Sequence, residues 1–517
     1  MTVREQPDHE IAVIGAGIGG IGMAIALRRA GIDDFVVLER ASDIGGTWRD
    51  NRYPGIAVDI PAQAYQFSFE LKPDWSRVFA CGAEVKAYID HCADRYDVRR
   101  FVRLDSEVRS RTWDDQAHLW RLELPDGGSV TARFVVSAVG AFVNPKPPTI
   151  DGLESFGGAV LRSAAWDPSV DLRGKRVAVV GTGASALQII PKIARDVARL
   201  DVYQRTPIWV GPKLDWRTSR AVQRLFRRSP RTQEVVRAGV TRVIEAGLVG
   251  LVVDHDRLGS ITRAAGWLGR NVWYRQVRDP DVRRRLTPGY EVGCKRPSVS
   301  NTYLWTFNRS NVELVSDPIE RVTPSGLVCT DGRLREVDVL VLATGFRLAT
   351  DPENYRSNPV RGRGDFDLAT YYAENHVRSY ESVSLPGLPN HFMIFGPYGW
   401  TGGTWHTLVE TASHHILRVI GETRRRGATA VEVSEEAADR WTRFAVERLS
   451  RSLWHTGLCE TANSYYFDHH GDTPFLRPTS SRQAWRAART FPLDDYEYAA
   501  GERLAAAPTS EGRAATT

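Results

Sequence analysis

Two glycine-rich turns carry the first chemistry in this sequence. Residues 15 to 20 read Gly15-Ala16-Gly17-Ile18-Gly19-Gly20, and residues 181 to 186 read Gly181-Thr182-Gly183-Ala184-Ser185-Ala186. Turns of this kind let backbone amides approach a pyrophosphate at a helix N-terminus, where the aligned peptide dipoles favour an anion. Each turn follows an apolar run, Ile11 to Ile14 or Val177 to Val180, and opens a helix-like stretch. Nineteen residues past Gly20 stands Glu39, and nineteen past Ala186 stands Arg205. A carboxylate at that point accepts hydrogen bonds from ribose hydroxyls, whereas a cation suits a 2′-phosphate. The first turn therefore reads as a site for FAD. The second reads as a site for NADPH, with Thr206 and Lys295 joining Arg205 around the phosphate. Two such nucleotides on one chain imply an NADPH-driven flavoenzyme.

Just beyond Glu39, where the chain is expected to run along the flavin, it reads Gly45-Gly46-Thr47-Trp48-Arg49-Asp50-Asn51-Arg52-Tyr53-Pro54-Gly55-Ile56-Ala57-Val58-Asp59. By composition this is a loop punctuated by Gly and Pro, with an aromatic anchor. It also resembles the G-G-x-W-x-x-x-x-Y-P-G-x-x-x-D signature of Baeyer–Villiger monooxygenases, the class B flavoprotein monooxygenases. The resemblance runs through most of the chain: Tyr65, Gly293-Cys294-Lys295-Arg296-Pro297, Phe307-Asn308-Arg309 with Asn311-Val312, Ala343-Thr344-Gly345-Phe346, and Pro389-Asn390 leading to Gly396-Pro397. The family's linker fingerprint, F-x-G-x-x-x-H-x-x-x-W followed by Pro or Asp, is met at Phe156, Gly158, Trp166 and Asp167. Arg162 replaces the His. The stretch from Tyr398 to His406 is a second departure.

The resemblance implies that NADPH reduces FAD, that the reduced flavin takes up O₂ as a peroxide, and that this attacks an apolar ketone to give an ester or lactone. It matches Arg296 to the family's catalytic arginine and Asp59 to the carboxylate that orients it. A planar cation, charged at any working pH, suits an anionic peroxide and its adduct in a site that excludes water. Candidate contacts to FAD are Gly15, Gly17, Gly20, Glu39, Gly46, Thr47, Trp48, Asp59, Tyr65 and Val108. Those to NADPH are Gly181, Thr182, Gly183, Ala184, Ser185, Ala186, Gln188, Arg205, Thr206 and Lys295. Two alternatives stay within the same cofactor class: oxygenation of sulfur or nitrogen, and an uncoupled NADPH oxidase, to which Arg162 points. Trp166 favours the ketone, because related N- and S-oxidising groups tend to carry another aromatic there. A non-enzymatic nucleotide-binding protein would need a flavin that does not turn over. Trp400, Trp405 and Trp454 read equally as pocket lining or as core, and the loop from Gly457 to Tyr466 is expected near the nicotinamide or the substrate.

These groups require an α/β architecture: two Rossmann-like dinucleotide-binding domains, with a helical insertion in the NADP domain. The FAD domain is expected over residues 1–148 and again over 385–500. The NADP domain is expected over 149–213 and 291–384. Between its parts, residues 214–290 are rich in Arg, Ala, Leu and Val at helical period and read as the insertion. Residues 501–517, rich in Ala, Thr and Ser, read as a disordered tail.

At 517 residues, with 42% apolar and 25% charged side chains, the chain has the composition of a soluble globular protein with a large core. The net charge of +6 comes from scattered arginines, with no dense basic block or nucleic-acid motif, so no nucleic-acid partner is expected. The first strand is expected within ten residues of Met1, which leaves no space for a signal peptide. The longest apolar run, Ala246 to Val253, is too short to cross a bilayer. A peripheral membrane contact stays open. Five cysteines form no C-x-x-C pair. That suits a reducing cytoplasm and argues against a dithiol–disulfide reductase. Cys294, beside Lys295, has the setting of a low-pKa thiol. His455, His469 and His470 lack metal-ligand spacing with any cysteine, and no metal is expected.

Overall fold

A computed structural model describes residues 6–142 and 144–500, so the tail expected at 501–517 lies outside the described residues. Strands buried on both faces must be apolar, and the strands that carry the two glycine turns are of this kind over Ile11–Ile14 and Val177–Val179. In the first, His9–Ile14, the residues Ile11, Ala12 and Val13 have no exposed surface. It lies in a parallel sheet ordered Val102–Arg103, Phe35–Leu38, His9–Ile14, Ser129–Ser137 and His391–Met393. The nine-residue strand Ser129–Ser137 serves two sets of partners. Its first half runs antiparallel to Leu119–Glu123, which pairs in turn with Ser110–Asp114; its last three residues run parallel to His391–Met393.

The second sheet is entirely parallel, ordered Val312–Val315, Arg199–Tyr203, Arg176–Val180, Val339–Leu342 and Ala159–Arg162. Between residues 214 and 290 the chain forms helices Arg220–Arg228, Pro230–Glu245, His255–Asn271 and Pro280–Leu286. It rejoins the first sheet earlier than residue 385, because Val360–Arg361 already pairs with Ser110–Asp114. The helix Trp405–Arg425 then packs along the first fingerprint helix, Ile18–Arg29. No helix among the described residues is long and apolar enough to cross a membrane.

The two glycine turns are built alike. Gly15 donates its amide to Leu38 O at 2.8 Å and Gly181 to Tyr203 O at 3.0 Å, each on the neighbouring strand. Their φ angles are +100° and +110°, in the region L side chains avoid. A Cβ on Gly15 would sit 2.9 Å from Ala138 O, and one on Gly181 2.4 Å from Ala343 O, at matching strand ends. Both positions therefore require glycine.

Candidate active site

Both turns deliver an open helix end. Gly17 caps Ile18–Arg29 and Gly183 caps Ala184–Ile193, neither with a side-chain hydrogen bond and neither with an acidic residue in the first turn. The amide donors there are left for an anion. A Cβ on Gly183 would meet nothing within 4 Å, so the space in front of that helix is free for a ligand. Gly46 lies against Gly17, where its Cβ would come within 3.0 Å of the Gly17 Cα, and Gly45 donates to Ala16 O at 2.8 Å. The loop that follows is thereby anchored on the first turn. Its short helix, Thr47–Asp50, holds Trp48, whose indole N–H donates to the Tyr65 hydroxyl at 3.1 Å.

The ribose-position residues differ in state. Glu39 is buried and already accepts from Ala16 N at 2.7 Å, Ala41 N at 3.1 Å and Arg49 Nη1 at 2.9 Å. It thus braces the turn itself, and its two oxygens, with about four lone-pair sites between them, retain capacity for a hydroxyl. Val108 is buried in the small cluster behind this corner and gives its carbonyl to Asn358 Nδ2. On the other side Arg205 is exposed, and the Asn463 amide oxygen, turned toward it, accepts from Nη2 at 2.5 Å and Nε at 3.0 Å. Lys295 lies near enough to Arg205 to feel its charge; burial first, and that charge second, push its pKa down to about 8. A buried lysine whose charge is disfavoured by a neighbouring cation is what a phosphate dianion would relieve. Thr182 donates its hydroxyl to Thr206 O at 3.3 Å, closing the turn behind them. Ala186 is fully buried where the helix meets the sheet.

Gln188 does different work. Its Nε2 donates to Ala57 O at 3.0 Å, and its Oε1 accepts from Ala57 N and from the Tyr53 hydroxyl, both at 3.3 Å. This side chain therefore fastens the Tyr53-to-Asp59 loop of the first unit onto the fingerprint helix of the second.

At the end of that loop, Asp59 Oδ1 accepts from Arg296 Nη2 at 2.9 Å. Burial would draw the guanidinium pKa down, but Asp59 and the phenols of Tyr465 and Tyr466 outweigh it and the pKa stands raised. Arg296 also faces the Trp400 ring, 5.5 Å from its centroid. Trp400 belongs to the departing stretch Tyr398–His406, so this departure supplies part of the arginine's wall. Trp454 stacks on Tyr466 at 4.4 Å, and Trp405 meets Phe395 edge-on at 5.0 Å. From the same stretch His406 is fully buried among Tyr65, Phe67 and Tyr88. Burial, then Arg237, holds it neutral, and both its ring nitrogens lack a partner among the described residues. That unused polar capacity beside Tyr65, with the open turn at Gly17, fits a polar aromatic cofactor. Arg162, by contrast, is exposed on the edge strand Ala159–Arg162, with Trp166 buried behind it.

The structure also corrects the reading of Cys294. Cys294 is not a free thiol: it forms a disulfide with Cys459. Nothing in the spacing signals a pairing across 165 residues. Asn463, facing Arg205, also escapes sequence reasoning, because a loop amide carries no pattern.

Residues 12–245 match the family model of pyridine nucleotide-disulphide oxidoreductases. The chain is 38% identical over 453 residues to a Baeyer–Villiger monooxygenase of Pseudomonas aeruginosa, covering 87% of this chain and 84% of that one. Its fold matches the structure of OTEMO in complex with FAD and NADP at a TM-score of 0.85 and 28% identity, over 96% of this chain and all of that one. It matches cyclohexanone monooxygenase from Rhodococcus sp. Phi1 bound to NADP⁺ at a TM-score of 0.85 and 27% identity, again over 96% and 100%. With two nucleotide turns, opposed ribose-position charges and an arginine–aspartate pair between them, this chain belongs to the Baeyer–Villiger monooxygenases, flavoenzymes that use FAD and NADPH.

Proposed function

We propose that this protein uses NADPH and O₂ to convert a ketone to an ester or lactone, with Arg296 as the catalytic cation and Asp59 as its positioning partner. The observation that carries this reading is the 2.9 Å bond between Arg296 and Asp59, which joins the two nucleotide units at one point. FAD held at Gly15–Gly20, Glu39 and Gly46–Trp48 would supply O₂ activation, with NADPH held at Gly181–Ala186, Arg205 and Lys295 as the hydride donor. The chain's own part is electrostatic. A charge fixed before reaction costs no reorganisation as negative charge develops on the substrate oxygen. Asp59 restricts the guanidinium to one orientation, and the Trp400 ring covers one of its faces. That the similar cyclohexanone monooxygenase is named for a ketone supports a ketone here, as does Trp166.

The deciding experiment is Arg296→Ala, assayed with a panel of ketones and sulfides. The variant is expected to hold FAD and consume NADPH while forming no oxygenated product. Full product turnover would remove the assignment, and a parent enzyme that oxygenates only sulfides would replace the ketone with a soft heteroatom.

A further inference from the structure

The bond between Cys294 and Cys459 ties together the two segments that meet at the candidate active site. One residue past Cys294 is Lys295, and the next is Arg296. Four residues past Cys459 is Asn463, followed shortly by Tyr465 and Tyr466. These groups meet across the gap: Asn463 faces Arg205, and both phenols act on the Arg296 guanidinium. The loop that carries them has little framework of its own. Its regular structure is one short 3₁₀ turn, Glu460–Ala462, and its backbone bonds are local, Ala462 N to Cys459 O at 2.9 Å and Glu460 N to Gly457 O at 3.4 Å. Beside the bridge, the indole N–H of Trp454 donates to Gly293 O at 3.0 Å.

We propose that Cys294 and Cys459 are positioning residues for the oxygenation: their bond sets the register between the arginine segment and the loop Gly457–Tyr466, and opening it diverts turnover to hydrogen peroxide. This rests on the function proposed above. A dithiol opens the bridge by giving it two electrons and two protons, so the S–S bond breaks, two thiols form, and the dithiol closes to its own disulfide. Hydrogen peroxide reverses the step: the thiol pair yields two electrons and two protons, the O–O bond breaks, and two waters leave. The bridge itself is buried, but Leu458 and Glu460 on either side of Cys459 are exposed, so a small opening of the loop admits either reagent. An enzyme with an open bridge would thus release the oxidant that closes it.

The test uses holoenzyme purified without reductant. Alkylation, digestion and mass spectrometry should yield a linked Cys294–Cys459 peptide. Product and peroxide per NADPH are then measured for the parent, the dithiothreitol-treated parent and Cys459→Ser, with the ketone the parent oxidises best. Product per NADPH is expected to fall about tenfold on opening, as for a catalytic group displaced by a fraction of an ångström. Peroxide should rise to match, and the flavin-to-protein ratio should hold. A pulse of peroxide after removal of the dithiol should restore the parent but not Cys459→Ser. Cys81→Ser, which removes an exposed thiol outside the bridge, should follow the parent throughout. Free thiols at both positions in isolated holoenzyme would overturn the proposal, as would an unchanged product-to-peroxide ratio in the dithiol-treated parent. The latter sample decides if Cys459→Ser does not fold. A parent that oxygenates no substrate sinks the function instead, a result distinct from these.

Discussion

The pH dependence of coenzyme choice follows from Lys295. Burial and the neighbouring Arg205 bring its pKa down to about 8 in the free protein. The protonated form is the one that binds a phosphate, so bound coenzyme raises this pKa and binding takes up a proton above pH 8. The 2′-phosphate has its second ionisation near 6 and stays dianionic above pH 7. Between pH 7 and pH 9, therefore, the lysine is the partner that changes. Its charged fraction falls from about nine-tenths to about one-tenth over that interval. KM for NADPH should rise up to about tenfold, or about 1.4 kcal/mol, just under the ~1.5–3 kcal/mol typical of a hydrogen bond to a charged group. NADH lacks the 2′-phosphate, so its KM should stay level and the NADPH-to-NADH preference should fall by the same factor. The assay is initial-rate NAD(P)H oxidation across pH 7–9 for the parent, Lys295→Arg and Lys295→Ala. Lys295→Arg should keep NADPH preference flat, and Lys295→Ala should give a flat but lower preference. A preference in the parent that does not fall by pH 9 would refute both the pKa and the contact.

Gly20→Ala places a Cβ 1.7 Å from Gly15 O, so the first turn must open; the variant should purify with little flavin, read from visible absorbance. Gln188→Ala leaves the Ala57 N–H and C=O without their side-chain partner and should cost about 1–3 kcal/mol, with loss of hydrogen-exchange protection at Ala57. The nearly buried Arg477 pairs with Glu381 and donates to Thr479 Oγ1 at 2.8 Å; Arg477→Met should lower stability by about 3–5 kcal/mol in urea unfolding, and adding Glu381→Gln should recover part of it.

What the sequence made legible was local or periodic. The strand–turn–helix units at Gly15 and Gly181 follow from short-range apolar runs and glycines, and the fold repeats them as expected. The opposite charges at Glu39 and Arg205 were visible by counting from each turn. What stayed hidden depends on contacts between distant segments. Gln188 looks like an ordinary polar residue of a nucleotide helix until the loop around Ala57 arrives to occupy it. The Tyr398–His406 stretch read as an oddity, because only folding brings Trp400 over a guanidinium from residue 296. The two cysteines gave no signal at all, since neither position announces the other. The return of the chain at Val360–Arg361 was missed because a two-residue strand has no measurable period.

The divided partnership of the strand Ser129–Ser137 also bears on synthesis. All strands of the second sheet come from residues 159–342, whereas the first sheet needs residues 9–137 and then Val360–Arg361 and His391–Met393. As the nascent polypeptide emerges, the later-starting unit is complete in sequence first, while the earlier one waits with the rim beyond Ser137 uncovered. A nascent chain that has emerged from the ribosome to about residue 350 would therefore display one finished nucleotide fold, and beside it an unclosed sheet as a target for chaperones.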